Sequence, residues 1–374
     1  MTNFVSIILP IRNEAKHIEA CINSIFAQDF SKDQYEILAV DGVSDDGTRE
    51  ILENLKIKYQ SLKIIDNPMK IVTAGLNLGI KNAKGDIIVR MDAHAKYGDD
   101  YLKSCLEVLT KSGAANVGGH MRALPANNSA ISEAIMLAHY IPFGLGGGRF
   151  HNPDYEGYVE TVWLGCFKKE VFDKMGYFDE RFTRTEDIDF NSRLRIAGYK
   201  IYLSPKIKAY YYCRPNLKEL WRQRWLDGMG VVRTLPINPR APKLRHFVPL
   251  LFVGSLLLLA MVIGISGQDS GGRVHGLAQG FLIFELLTYL LASLFFTIKM
   301  FLSRRAQKPQ FPNFQTSQLP NFAISGEALN PKWKLFFCLP LVFATLHLSY
   351  GLGSLWGLLT LPVWWARFRM KIGN

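Results

Sequence analysis

The sequence predicts an α/β protein with a mostly parallel, doubly wound sheet, followed by a small α-helical transmembrane region. Two observations carry the α/β half. Short runs rich in Ile and Val recur from Phe4 to Gly118, and helical stretches separate them. Alternation at this spacing builds a parallel sheet with crossover helices. A third observation divides the chain: the last ~130 of its 374 residues are far more apolar than the first ~230, which suits one soluble domain plus a second unit.

Residues 4–9 form the first apolar strand. Pro10-Ile11-Arg12-Asn13-Glu14 then makes a turn, with Asn13 as helix N-cap and Glu14 at the positive end of the dipole. The helix runs to about Ala27, with Ile18, Ile22, Ile25 and Phe26 on one face. Residues 35–40, 62–65, 85–91 and 114–118 read as further strands, with helices over about 48–59 and 71–83. Residues 120–160 are rich in Gly, Asn and Pro and read as a long loop, mobile or functional, that includes Gly144-Leu145-Gly146-Gly147-Gly148. Residues 158–164 read as a strand, 187–197 as a helix and 200–212 as one or two strands.

The soluble domain is assigned to 1–232. Its last part, 216–232, interleaves Trp221 and Trp225 with Arg222 and Arg224, the pattern of a helix lying on a membrane surface. Segments 247–265 and 277–298 are long and apolar enough to span a bilayer. Glu285 is costly inside the second, which makes it a functional candidate, the alternative being that it faces another helix or water. The polar tract 299–334 reads as a cytoplasmic loop. The stretch 335–361 reads as one span or as a broken, re-entrant pair. Gly351 and Gly353 offer the break, and a pair would keep Arg367, Arg369 and Lys371 on the cytosolic side. No basic segment followed by an apolar one opens the chain, so the soluble domain is expected in the cytosol.

Several classes drop out. The five cysteines lack knuckle or CxxC spacing and read as reduced, buried thiols. The net charge of +12 comes without a nucleic-acid reader motif, and the basic residues cluster beside apolar segments, so the partner expected is membrane lipid and not nucleic acid. No GxGxxG or P-loop pattern follows the first strand.

The chemistry gathers at strand ends. Asp92-Ala93-His94 follows strand 85–91, and open α/β sheets bind ligands at their carboxyl edge. A carboxylate alone favours Mg²⁺, whereas an added imidazole tilts the choice to Mn²⁺. Either ion would neutralise charge on a leaving nucleoside diphosphate. The plainer alternative is that His94 packs or hydrogen-bonds a phosphate. Asp41, ending the second strand, can accept hydrogen bonds from a pyrimidine or a ribose. Pro10, Arg12, Glu14, Gly42 and Ser44 complete a nucleotide-sugar cradle with Asp41 and Asp92. In Thr185-Glu186-Asp187-Ile188-Asp189, Asp187 is the candidate general base for an acceptor hydroxyl. A helix start lowers its pKa, while burial and Glu186 raise it. Simple helix capping is the alternative reading.

Residues 4–230 resemble family-2 inverting glycosyltransferases of the GT-A fold. The resemblance rests on VSIILPIRNEAKHIEACINSI, ILAVDGVSDDGTREIL, GDIIVRMDAHAKY and FDERFTRTEDIDFNSRLRIAGYKI, in that order. The MDAH string and the C-terminal spans are most similar to membrane-bound transferases of the succinoglycan-biosynthesis type. Those enzymes extend a polyprenyl-diphosphate-linked oligosaccharide at the cytoplasmic face. The resemblance implies that Asp41 contacts the base, that Asp92 and His94 occupy the place of the family's Asp-x-Asp, that Asp187 is the base, and that Glu186 places the acceptor. It puts Gly165, Arg224 and Trp225 on the acceptor side. It implies a nucleotide-sugar donor, a UDP-sugar, with a divalent metal (Mn²⁺ or Mg²⁺) and a polyprenyl-linked saccharide acceptor.

Two departures stand out. His94 replaces an Asp, and Trp221 stands where processive relatives have Gln or Arg in a Gln/Arg-x-x-Arg-Trp motif. Together with the small membrane part, the second predicts addition of one sugar. A polyprenyl-phosphate glycosyl synthase and a membrane scaffold with an inactive transferase domain are the alternatives, the latter disfavoured by intact Asp41, Asp92 and Glu186-Asp187.

Overall fold

The computed structural model describes residues 4–152, 155–266, 272–306 and 330–372. In chain order its elements are β1 (Val5–Ile11), α1 (Ile18–Phe26), β2 (Tyr35–Asp41), α2 (Thr48–Lys58), β3 (Leu62–Asp66), α3 (Val72–Asn82), β4 (Ile87–Arg90), β5 (Ala95–Tyr97), α4 (Tyr101–Ser112) and β6 (Asn116–Leu124). There follow α5 (Ala130–Ala138), β7 (Gly157–Tyr158), β8 (Trp163–Lys168), α6 (Glu170–Met175), α7 (Glu186–Ile196), β9 (Ile201–Tyr212), α8 (Leu217–Thr234), α9 (Val248–Ser266), α10 (Arg273–Ala306) and α11 (Lys332–Ile372). The chain forms two compact units that alternate along the sequence. One holds Met1–Arg122, Arg149–Tyr212 and Thr234–Pro242; the other holds Ala123–Gly148, Cys213–Arg233 and Lys243–Asn374. The single boundary expected at 232 is thus replaced by several exchanges.

The first unit is built on one sheet of order β3-β2-β1-β4-β8-β6-β9-β5, with β7 on β9. The pairs β2–β3, β1–β2 and β1–β4 are parallel, as the strand–helix alternation predicts. Beyond β4 the pairs β4–β8, β6–β8, β5–β9 and β7–β9 are antiparallel, so the sheet is mixed. Both faces of the parallel part are covered. Ile7 and Leu9 pack with Ile18 and Ile22 of α1 and Leu52 of α2, while Ile8 and Leu38 pack with Leu76 and Ile80 of α3 and Phe190 of α7. Burial on both faces is why these strands read as unbroken apolar runs. Gly79 lets α3 lie close: a Cβ there would stand 2.4 Å from Ile8 Cγ2.

Several boundaries differ from expectation. The first helix begins at Ile18, and Asn13 does not cap it. Asn13 sits at φ +56° and binds the neighbouring loop instead, its Nδ2 donating to Asp45 Oδ1 at 2.8 Å and its Oδ1 accepting from Asp45 N at 3.0 Å. Asn tolerates this left-handed backbone better than most residues, and its side chain gains long-range partners. The strand expected at 158–164 divides into β7 and β8, and 200–212 is one strand, β9. Within the long loop expected at 120–160 lies α5, started by Ser129, whose side chain accepts from Ser132 N.

At the far end of the sheet from the cradle, buried Glu36 accepts from Ser6 Oγ at 2.8 Å and from Lys84 N at 2.7 Å, and pairs with Lys63. Burial would raise this carboxyl, but Lys63, the Lys84 amide and Ser6 hold it below its ordinary value. Its contribution to stability is therefore full above the ordinary Glu range and is lost as pH falls through the depressed native value. We predict that Glu36→Gln costs about 1–3 kcal/mol at pH 7. Thermal unfolding in detergent should show the variant and the wild type converging in acid; an equal gap at every pH would contradict this.

In the second unit α11 packs on α5, α9 and α10. Three helical stretches are long and apolar enough to cross a membrane: Leu244–Ser266, Arg273–Leu302 and Lys332–Ala366. The third is one continuous helix, without the break expected at Gly351 and Gly353. Those glycines serve packing: a Cβ at Gly351 would meet Pro249 O at 2.3 Å, and one at Gly353 would meet Trp225 O at 2.1 Å. Small residues that bring backbones together are the usual cement of membrane helices. The expected polar tract 299–334 begins inside α10, which runs to Ala306, and its part at 307–329 lies outside the described residues.

Candidate active site

Parallel pairing of β1 with both β2 and β4 sets three strand ends side by side, at the point where the strand order reverses. Crevices at such points are the usual ligand sites of open α/β sheets. Pro10, Arg12 and Glu14 come from the end of β1, Asp41, Gly42 and Ser44 from the end of β2, and Asp92 and His94 follow β4.

The cradle is tied together by short polar contacts. Asp41 is buried; its Oδ1 accepts from Ser44 Oγ at 2.6 Å and Ser44 N at 3.2 Å, and its Oδ2 lies 3.4 Å from Arg49 Nη1. Ser44 Oγ also accepts from Asn13 N at 2.9 Å, which joins the two loops. Gly42 N donates to Ile11 O at 2.8 Å, and a Cβ at Gly42 would stand 3.3 Å from Arg12 Cβ. Arg12 Nη1 donates to Lys70 O at 3.2 Å.

Asp92 is fixed through its backbone. The hydroxyl of buried Tyr97 accepts from Asp92 N at 2.6 Å and donates to Asp92 O at 3.0 Å. Burial raises the Tyr97 phenol well above its ordinary value, so it keeps the proton this clamp needs. His94 Nδ1 lies 3.0 Å from Glu14 Oε1. The Glu14 amide in turn donates to Thr48 Oγ1 at 2.8 Å. A carboxylate on one ring nitrogen is how metal-bound histidines are commonly oriented, because it fixes the proton there and the lone pair on the other. A carboxylate and an imidazole are both donor types that divalent cations accept. Among the described residues no three His, Cys, Asp or Glu side chains form a metal-holding group by themselves.

The acidic pair reaches this site through Arg90. Its guanidinium lies 3.3 Å from Asp92 Oδ1 through Nε and 3.0 Å from Glu186 Oε1 through Nη1. Burial would lower the Arg90 pKa, but Asp92, Glu186 and Asp187 outweigh it and raise it. Asp187 is pushed up to about 6, first by burial and then by Glu186, against the pull of Arg90 and of the backbone amides at the helix start. The competition foreseen between dipole and burial resolves in favour of burial.

Backbone strain marks the same elements. Asn13, Val43, Leu164 and Thr185 all have φ between +56° and +66°. β-Branched residues rarely hold such angles, and they persist where the surroundings enforce them. Thr185 Oγ1 is held 2.9 Å from Thr234 Oγ1. Leu164 precedes Gly165, which pairs with Arg90 across β4 and β8; a Cβ at Gly165 would stand 2.4 Å from Phe167 Cε2. Gly165 is thus required by packing beside Arg90.

Arg224 and Trp225 lie on α8 in the helical unit. There the Arg224 guanidinium lies 3.1 Å from Asp227 Oδ2 and 5.0 Å from the centre of the Tyr350 ring. Sequence reasoning assigned no role to Arg90, Tyr97 or Arg49. Arg90 had a usable signal: a cation two residues before Asp92 at the end of a buried strand must find carboxylates.

Replacing His94 by Asp gives an all-oxygen donor set. We predict that His94→Asp shifts the metal preference of the transfer reaction from Mn²⁺ towards Mg²⁺. Metal titrations of the transfer rate would show it, and an unchanged preference would remove His94 from the ligands.

A family model described as Glycosyl transferase family 2 matches residues 6–176. The chain is 30% identical over 311 residues to a dolichyl N-acetyl-α-D-glucosaminyl phosphate 3-β-D-2,3-diacetamido-2,3-dideoxy-β-D-glucuronosyltransferase from Methanococcus voltae, covering 81% of this chain and 89% of the relative. It is 31% identical over 246 residues to the succinoglycan biosynthesis protein ExoA of Rhizobium meliloti (strain 1021), covering 65% and 74%. Its fold is similar to that of the mannosyltransferase PcManGT from Pyrobaculum calidifontis, solved with GDP-Man and Mn²⁺, at a TM-score of 0.53 and 18% identity over 76% of this chain and 81% of that one. On motif order, fold and this relatedness, the chain belongs to glycosyltransferase family 2.

Proposed function

We propose that the protein transfers one sugar, with inversion, from a UDP-sugar to a hydroxyl of a lipid-linked saccharide at the cytoplasmic face of a membrane. The observation that carries this reading is the Arg90 bridge, which ties the Asp92 carboxylate to the Glu186-Asp187 pair. Donor-side and acceptor-side chemistry would then lie within one half-buried ion network. The lipid-linked acceptor is supported by the three apolar helices and by the dolichyl sugar phosphate in the name of the Methanococcus relative. Asp41, an acceptor-only group when ionised, supports a pyrimidine nucleotide.

In the reaction the acceptor oxygen forms a bond to the anomeric carbon as the bond from that carbon to the diphosphate oxygen breaks. The electron pair leaves with the nucleoside diphosphate, and the acceptor proton passes to an Asp187 carboxylate oxygen. Glu186 and Arg90 hold Asp187 and the acceptor in register. Asp41, Ser44, Gly42, Pro10 and Arg12 seat the nucleoside. A cation held by Asp92 and His94 would neutralise charge on the leaving diphosphate. We place the Arg149–Tyr212 and Met1–Arg122 segments in the cytosol, with the three helices as membrane spans.

The test is a panel of nucleotide sugars with a polyprenyl-linked saccharide and Mn²⁺. One UDP-sugar should give a product longer by a single residue, with release of UDP. A ladder of products, or transfer only to bare polyprenyl phosphate, would contradict the reading.

A further inference from the structure

The helical unit contains a groove of about 600 Å³ between α9 and α10. Its wall is apolar and rich in aromatic rings, with Phe252, Phe281, Phe284 and Tyr289 beside Leu258 and Ala292. Its one carboxyl is that of Glu285, whose Oε1 accepts from Ser255 Oγ at 2.5 Å. Outward side chains of both helices, such as Leu257, Phe284 and Leu287, are largely exposed, so the groove opens on an apolar surface of helices long enough to span a bilayer.

One wall residue does not come from a span. Phe143 sits in the Gly-rich segment that follows α5, and that segment is folded tightly. A Cβ at Gly144 would stand 2.4 Å from Ala138 O, and one at Gly146 would stand 2.6 Å from Tyr140 C. The Phe143 ring stacks on Phe296 at 5.4 Å and meets Tyr289, Phe343 and His347 at 5.4, 5.3 and 4.9 Å. Tyr289 is held in turn by His347, with its hydroxyl 2.8 Å from Nδ1. This segment interrupts the sheet-forming chain between β6 and β8, so a stretch inserted between two sheet strands supplies part of the groove wall. Bulk lipid requires no such wall.

We propose that this groove binds the isoprenoid chain of the lipid-linked acceptor, an inference that rests on the acceptor reading given above. The size suits a chain segment, since ligand pockets commonly enclose some 300–1,000 Å³. Flat C=C units and branching methyls match ring faces better than a saturated chain does.

The experiment uses the full chain in nanodiscs of phosphatidylethanolamine and phosphatidylglycerol, with a diazirine-bearing polyprenyl phosphate as probe. Labelling should concentrate on 252–259 and 281–292 and on Phe143. It should fall at least fivefold with excess unlabelled polyprenyl phosphate, but not with more phosphatidylglycerol. Leu258→Trp and Ala292→Trp, which fill the groove, should lower it to a similar degree. Labelling spread evenly over the lipid-facing sides of α9, α10 and α11, or labelling displaced by phosphatidylglycerol, would overturn the proposal. So would cross-linking of this face to a second copy. Labelling needs no acceptor sugar, so the groove stands on this result and the acceptor reading stands separately on the transfer assay.

Discussion

Asp187→Asn lowers turnover by roughly 10²–10⁴-fold, the usual contribution of a general base, while the affinity for the nucleotide stays close to that of the wild type. Asp187 opens α7 beside Glu186, and Arg90 bridges Glu186 to Asp92, so the carboxylate stands next to the network that includes Asp92. Asn keeps the shape and removes the proton acceptor. The pH dependence follows with a definite sign. The base must be ionised, and its pKa is raised to about 6, so kcat/KM falls as pH drops through that value. A cation bound at Asp92 favours the ionised form and moves this limb lower. Titration calorimetry with UDP, beside steady-state rates, separates binding from turnover. Full transfer by the variant would instead favour a phosphate acceptor, which needs little deprotonation.

Arg90→Met destabilises the protein by about 3–5 kcal/mol, because removing one partner of a buried ion pair strands the other charge. Here two partners are stranded: Asp92 and Glu186 each lose an ion pair in positions with little exposure. Thermal unfolding in detergent should fall by roughly 10 °C or more. Arg90→Lys should recover only part, since one ammonium cannot reproduce a guanidinium that reaches both carboxylates through different nitrogens. Glu186→Gln placed on the Arg90→Met background should regain stability, which a purely steric role for Arg90 would not produce. Loss of the cation also leaves Asp187 without its main stabilising charge, so the acid limb of the rate profile moves up in any variant that remains folded. An unfolding midpoint within a degree or two of the wild type would contradict this account of the bridge.

Strand–helix alternation and the residues that stand at strand ends were legible because they are local. Runs such as Val5–Ile11 and Tyr35–Asp41 are buried on both faces, and Asp41 and Asp92 follow directly from where those strands stop. What was not legible depends on partners distant in sequence. Asn13 looks like an N-cap until the Asp45 loop captures it 32 residues on. The antiparallel half of the sheet needs β8 to enter beside β4, and nothing near Trp163 states that direction. The same holds for Arg90, whose second carboxylate lies 96 residues away. Gly351 and Gly353 read as helix breakers because glycine weakens a helix in water. Against α8 and α9 they are contact points, and the helix runs through them.

The most direct test of the central claim, a single displacement with Asp187 as base, is the stereochemistry of the product. With a UDP-sugar whose anomeric bond is α, proton NMR of the product from the full-length enzyme should show a β linkage from the first turnover. An α-linked product would mean retention, and would contradict both the single displacement and the role assigned to Asp187.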